Sequence, residues 1–153
     1  MKAFGFSEAE LRELFVSQAS LDKDIDVFIE VPAFCRSVDL VIEDKKNSKI
    51  SAVEFKLHDW KRALQQVQTV GICFDYLYIC LPKPKTNDSI VKISEACDSV
   101  GVGLIFYEVE TKLFVLQIAA KQTFEVWDRE RHRIVEYLEA RRDETRKSEN
   151  PKI

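Results

Sequence analysis

Glu54 and Lys56 lie in the stretch "ISAVEFKLHDWKRALQQ" (Ile50 to Gln66), an acid and a base two residues apart on an otherwise apolar run that leads into a helical pattern. Side chains alternate along an extended strand. The two therefore share a face with Ile50 and Ala52, while Val53, Phe55 and Leu57 cover the other. The preceding stretch, "SVDLVIEDKKNSK", reads as the partner strand of a hairpin. Closing it with the six polar residues Asp44 to Lys49 as the loop sets Glu43 opposite Ile50, Val41 opposite Ala52 and Asp39 opposite Glu54. Two carboxylates then meet across the ladder with an ammonium beside them. Opposed like charges destabilise a sheet, so a half-buried pair calls for a counter-charge. Lys56 supplies one and a divalent cation would supply more. Oxygen ligands without nearby Cys or His suit Mg²⁺ or Mn²⁺. The competing reading is a solvated edge-strand pair worth under about 1 kcal/mol. A strand that enters a crossover is usually interior, which favours a site.

The elements that must position these groups follow from periodicity. Ser7 with Glu10 forms a capping box, and Leu11, Leu14 and Phe15 recur at helical spacing, predicting a helix from about Glu8 to Ala19. "DVFIEVPAF" is a strand with Pro32 near its end or at an edge. "SVDLVIE" is a second, with Val38, Leu40 and Ile42 on one face, and "ISAVEFKL" is a third. Asp59 caps a helix with Trp60, Ala63, Leu64 and Val67 as its apolar stripe, stopped by Gly71. "YLYICLP" has the continuous apolar character of a strand covered on both faces. A helix marked by Ile90, Ile93, Cys97 and Val100 ends near Gly101. Two strands follow around a turn at Glu110 and Thr111, then a charged helix from about Asp128 supported by Ile134, Val135 and Leu138. This order predicts an α/β fold: a central mixed β-sheet flanked by helices, with an αβββαβ core and a C-terminal αββα extension. Residues 1–144 form one domain in this reading, and 145–153 a frayed tail.

At 153 residues the chain is long enough for one substantial core. A net charge of −3 argues against binding nucleic acid through overall positive charge, but leaves room for local basic patches. Lys45, Lys46 and Lys49 cluster in one turn, Lys83 and Lys85 in another, and either cluster could equally be solvated loop lysines. Cys35, Cys73, Cys80 and Cys97 form no C-x-x-C pair and read as free, mostly buried thiols. With His58 and His132 the only histidines, no zinc-ligand spacing exists. No run is apolar and long enough to cross a bilayer, and the first residues lack a signal peptide's apolar core. The expectation is an intracellular, cytoplasmic chain without a membrane partner. Beyond Val102 no motif attaches to chemistry. Trp127 reads as core and His132 as surface.

The ordered set "VD" at Val38–Asp39, "EFK" at Glu54–Lys56 and "DWKRALQQ" at Asp59–Gln66 resembles the PD-(D/E)xK nuclease superfamily, whose core order the first half of the chain also resembles. The resemblance implies restriction-endonuclease-like folding and metal-dependent hydrolysis of phosphodiester bonds. By resemblance, Asp39 and Glu54 are metal ligands, joined by the backbone carbonyl of Phe55 and by Mg²⁺ or Mn²⁺. Lys56 orients or activates the attacking water. Gln66 corresponds to a glutamine on the following helix, with Gln65 as the alternative. A supplementary acid from the first helix or strand would be Glu10, Glu13 or Glu30, with Glu30 preferred. Arg36 contacts phosphate or pairs with an acid. Val38 stands where many members carry proline. The implied partner is DNA, structured or branched, with RNA open, and a homodimer that flanks the duplex with Lys45, Lys46, Lys49, Lys83 and Lys85. The alternative is an inactive module of the same fold that binds nucleic acid or a protein.

Overall fold

The computed structural model describes residues 4–149. Helix α1 (Glu8–Ala19) opens with both halves of the predicted capping box, Ser7 and Glu10. Three strands follow, β1 (Ile25–Pro32), β2 (Ser37–Asp44) and β3 (Lys49–Phe55), then α2 (Trp60–Gln68), β4 (Tyr76–Pro82), α3 (Asn87–Val100), β5 (Gly103–Glu108), β6 (Leu113–Ile118) and α4 (Asp128–Glu149). The six strands form one sheet in sequence order. β1, β2 and β3 are antiparallel neighbours, β3, β4 and β5 are parallel, and β6 returns antiparallel. The predicted mixed α/β sheet flanked by helices is what the chain forms.

Two apolar layers hold the helices to the sheet. On one face Ile50, Ala52, Ile79 and Leu104 pack with Ala63 and Val67 of α2, Ile93 and Cys97 of α3, and Ile134 and Leu138 of α4. On the other, Leu40, Val53, Phe55, Cys80 and Ile105 pack with Leu11 and Phe15 of α1. Leu11 is fully buried, a burial that stabilises by about 1.5–3 kcal/mol. The division along β3 matches the predicted alternation: Ile50 and Ala52 on one side, Val53, Phe55 and Leu57 on the other.

Four local details differ from expectation. The β2–β3 ladder includes Asp44 opposite Lys49, so the loop is residues 45–48 rather than six residues. Asp44 makes this possible by accepting from the Lys46 and Asn47 N–H groups. Val38 does not share a face with Leu40 and Ile42; it packs in the α2 layer with Val41. The break in alternation faces Glu30 on β1, whose φ of 51° interrupts the pleat. α2 ends at Gln68, before Gly71, which instead starts a short 3₁₀ turn (Gly71–Cys73). Finally, α4 continues to Glu149, into the segment read as a frayed tail; residues 150–153 lie outside the described part.

The sheet edges are managed differently. Along β1, which ends at Pro32, Arg141 of α4 donates to the Ile29 carbonyl at 2.5 Å, and Arg142 bonds Asp26 and Glu43. The Arg141 contact occupies a strand carbonyl, and both arginines hold α4 against that edge, shielding it from pairing. The β6 edge exposes Leu113, Val115 and Leu116. Cys73, Cys80 and Cys97 are buried and Cys35 is exposed. Trp127 is 49% exposed rather than part of the core, and His132 is on the surface as predicted. No helix among the described residues is long and apolar enough to cross a membrane.

Candidate active site

The β2–β3 register holds as predicted from Glu43 opposite Ile50 and Val41 opposite Ala52 up to Leu40 opposite Val53. One residue further, the backbone ladder gives way to a side chain: the Phe55 N–H donates to Asp39 Oδ2 at 2.9 Å. This bond holds the Asp39 carboxylate at the mouth of β3, beside Glu54. Lys56 follows directly, its own N–H donating to the Cys80 carbonyl of β4 at 3.1 Å. Three groups that the sequence placed together are thus brought together at the carboxyl ends of the parallel strands, a common location for ligands in α/β sheets.

They line a cavity of about 220 Å³ with Glu8, Arg12, Glu30, Arg36, Phe55 and Gln66. α1 supplies Glu8 and Arg12, and α2 supplies Gln66. Gln65 is exposed and absent from this cavity, so helix phase selects Gln66 of the two. The cavity is short of polar partners. Among the described residues, the buried side-chain atoms lacking a hydrogen bond are Glu54 Oε1, Gln66 Oε1 and Arg12 Nε, and all three residues line it. Buried polar atoms ordinarily find partners, and orphans concentrated in one cavity suit a polar ligand.

Glu54 is the electrostatic centre. Its side chain is 2% exposed, and its nearest cation is Arg36, with Nη2 at 3.6 Å from Oε1. Burial first, and then the adjoining Asp39 carboxylate, push Glu54 up to about 8 against the pull of Arg36 and Lys56. The sign for stability follows. Between its ordinary value of 4.5 and about 8 the folded chain holds a proton that the unfolded chain has lost. Stability therefore falls as pH rises through this window. Glu54→Gln should abolish that fall, leaving the variant more stable than the parent at pH 8.5 by a few kcal/mol, on the order set by the shift. Denaturant titrations of both chains at pH 5 and 8.5, without divalent ions, measure it.

The supplementary acids separate clearly. Glu10 serves the α1 cap, and Glu13 is exposed and outside the cavity. Glu30 lines the cavity, but its side chain is 69% exposed and pairs with Arg12 at 3.6 Å. Glu8 was missed in the sequence. Its Oε2 accepts from the Leu57 N–H at 3.2 Å, docking α1 onto the end of β3. The available signal was the four-residue spacing of Glu8 and Arg12, which puts both on one helix face. Among the described residues no group of three or more His, Cys, Asp or Glu side chains could hold a metal ion. A cation here would be held by the two carboxylates, Asp39 and Glu54, joined, as the resemblance implies, by the Phe55 carbonyl. That fits Mg²⁺, which is commonly held by one or two carboxylates and otherwise by water and phosphate oxygens.

The lysine clusters part company. Lys83 and Lys85 follow β4 at the same end of the sheet as Lys56, and Lys83 pairs with Glu108 at 3.2 Å. Lys45, Lys46 and Lys49 sit at the opposite end, in and beside the β2–β3 loop. Lys49 is five residues from Glu54, about 16 Å along the strand. Strand direction, which a charge count ignores, removes them from the site; Lys45 pairs instead with Asp26.

No family model matches the chain, and no curated protein matches its sequence. Among solved structures it is similar to SPO1766, a protein of unknown function from Silicibacter pomeroyi, at 13% identity and a TM-score of 0.64, over 96% of this chain and 94% of that one. The likeness spans nearly the whole of both chains and is one of fold.

Proposed function

We propose that the chain is a metal-dependent nuclease of the PD-(D/E)xK type that hydrolyses phosphodiester bonds in DNA. The observation that carries this reading is the buried Glu54 side chain beside Asp39, its Oε1 without a hydrogen bond, with Lys56 and Gln66 in the same cavity. Asp39, Glu54 and the Phe55 carbonyl would hold Mg²⁺ or Mn²⁺, which when bound polarises a phosphoryl oxygen and acidifies water. Lys56 would orient the attacking water at the mouth of the cavity. Gln66 Oε1 offers an acceptor to the same water from α2. Arg36, paired with Glu54 and lining the same cavity, would offer its guanidinium to a phosphate oxygen. DNA with structured or branched form is the substrate in this reading, and a homodimer addresses both strands.

The test is cleavage of linear, branched and single-stranded DNA and RNA in Mn²⁺ by the purified chain, together with calorimetric titration of Mn²⁺. Expected are phosphodiester cleavage and metal affinity that rises with pH up to about 8, because Glu54 must lose its proton to bind a cation. Metal binding without cleavage of any substrate would sink the enzymatic part and leave a binding module.

A further inference from the structure

Beside the cavity lies a second concavity of about 480 Å³, lined by Arg36, Asp59, Lys61, Arg62, Gln65, Gln66 and Thr69. Arg36 and Gln66 belong to both. Along α2 the spacing of Lys61, Gln65 and Thr69, and of Arg62 and Gln66, presents one polar face over about 12 Å, opposite the buried Ala63 and Val67. Three cations line this groove against one carboxylate, Asp59. That carboxylate is committed to capping α2, accepting from the Arg62 N–H at 3.1 Å. Neither Lys61 nor Arg62 forms an ion pair with a described residue; Lys61 rests over the Trp60 ring. On a chain of net charge −3, three cations here, two of them without an ion pair to a described residue, are a local feature.

A second observation is independent of charge. Phe34 and Trp127 are 56% and 49% exposed and meet edge to face, with centroids 6.5 Å apart. Phe34 lies in the β1–β2 turn two residues from Arg36, and the intervening Cys35 thiol reaches the Thr69 carbonyl at 3.8 Å, at the far end of the groove. The Trp127 backbone N–H donates to the Ile72 carbonyl at 2.8 Å, placing the residue beside the turn after α2, and its indole N–H donates to Glu125 Oε1 at 3.3 Å. A cationic groove with solvent-exposed aromatic rings near one end is what an unpaired strand requires. Phosphates follow the cations while bases stack on the rings, and paired bases inside a duplex offer no free faces.

We infer that the α2 groove with the Phe34–Trp127 pair binds single-stranded nucleic acid, leading an unpaired segment to the Asp39–Glu54 cavity. This rests on the nuclease reading and names its substrate class, the unpaired arm of a branched or frayed molecule. Binding without metal separates the two ideas. Fluorescence anisotropy with a labelled 15-nucleotide oligo-dT and with a blunt duplex of equal length, in EDTA, should show the single strand bound about tenfold tighter. Lys61→Gln with Arg62→Gln should weaken it and flatten the log–log salt slope by about 1.4, at about 0.7 per lost phosphate contact on single strands. Phe34→Ala should cost about tenfold in affinity with the salt slope unchanged. Oligo-dT should quench tryptophan fluorescence in the parent and not in Trp127→Phe. Equal affinity for the duplex, or an unchanged salt slope in the lysine–arginine variant, overturns the inference. So does displacement of the oligonucleotide by polyglutamate at equal charge, which would make the groove an acidic-peptide surface. Tight strand binding by a chain that cleaves nothing supports the groove and defeats the nuclease; cleavage indifferent to strand pairing does the reverse.

Discussion

Asp39→Asn should cleave at least a hundredfold more slowly than the parent in Mn²⁺ and lose most of its metal affinity, while folding at least as well. The amide oxygen still accepts from the Phe55 N–H, so the junction of β2 and β3 is preserved. What disappears is the charge that opposes ionisation of Glu54. At pH 8 the variant should therefore be more stable than the parent, since the repulsion that burdens the folded state has been relieved. Lys56→Ala should slow cleavage by about 10²–10⁴, the range for a positioned acid–base group, with metal affinity retained. Steady-state cleavage, Mn²⁺ calorimetry and urea denaturation on the same three proteins separate these effects. A parent-like cleavage rate for Lys56→Ala would identify a contaminant as the source of activity.

Arg131→Ala should be among the most destabilising surface-proximal substitutions, costing about 3 kcal/mol or more, because it strands a buried charge. Asp75 is 4% exposed at the entry to β4. Its carboxylate accepts from the Ile50 N–H at 2.8 Å and from Arg131 Nη2 at 3.0 Å, with Arg131 Nε at 3.2 Å from both oxygens. The same guanidinium donates to the Ser48 carbonyl at 2.7 Å. One arginine thereby joins α4, the β2–β3 loop and the β3–β4 junction. The paired change Asp75→Asn with Arg131→Met should recover part of the loss by removing both charges. Urea midpoints on the singles and the double form a cycle that measures the coupling. Additive losses would show that the pair is not a unit.

Much of this molecule was legible in its sequence because the relevant forces are local. Ser7 and Glu10, Asp59, and Gly101 with its φ of 76° mark helix ends through bonds made within a few residues. The run "YLYICLP" announced a central strand through its apolar continuity. Strand alternation and one hairpin register sufficed to bring Asp39 to Glu54, because a slip of one residue would have moved an apolar set out of the core. Tertiary structure decided what depends on where elements end up relative to one another. The contribution of α1, Glu8 and Arg12 rather than Glu10 or Glu13, is set by how that helix docks on β3 through the Leu57 N–H. The exclusion of Lys45, Lys46 and Lys49 follows from strand direction. The depth at which Glu54 is buried, and hence its reluctance to ionise, arises from α1, α2 and the sheet closing around one carboxylate. Sequence spacing sets which groups share a strand face; the dielectric around them exists only after the layers have packed.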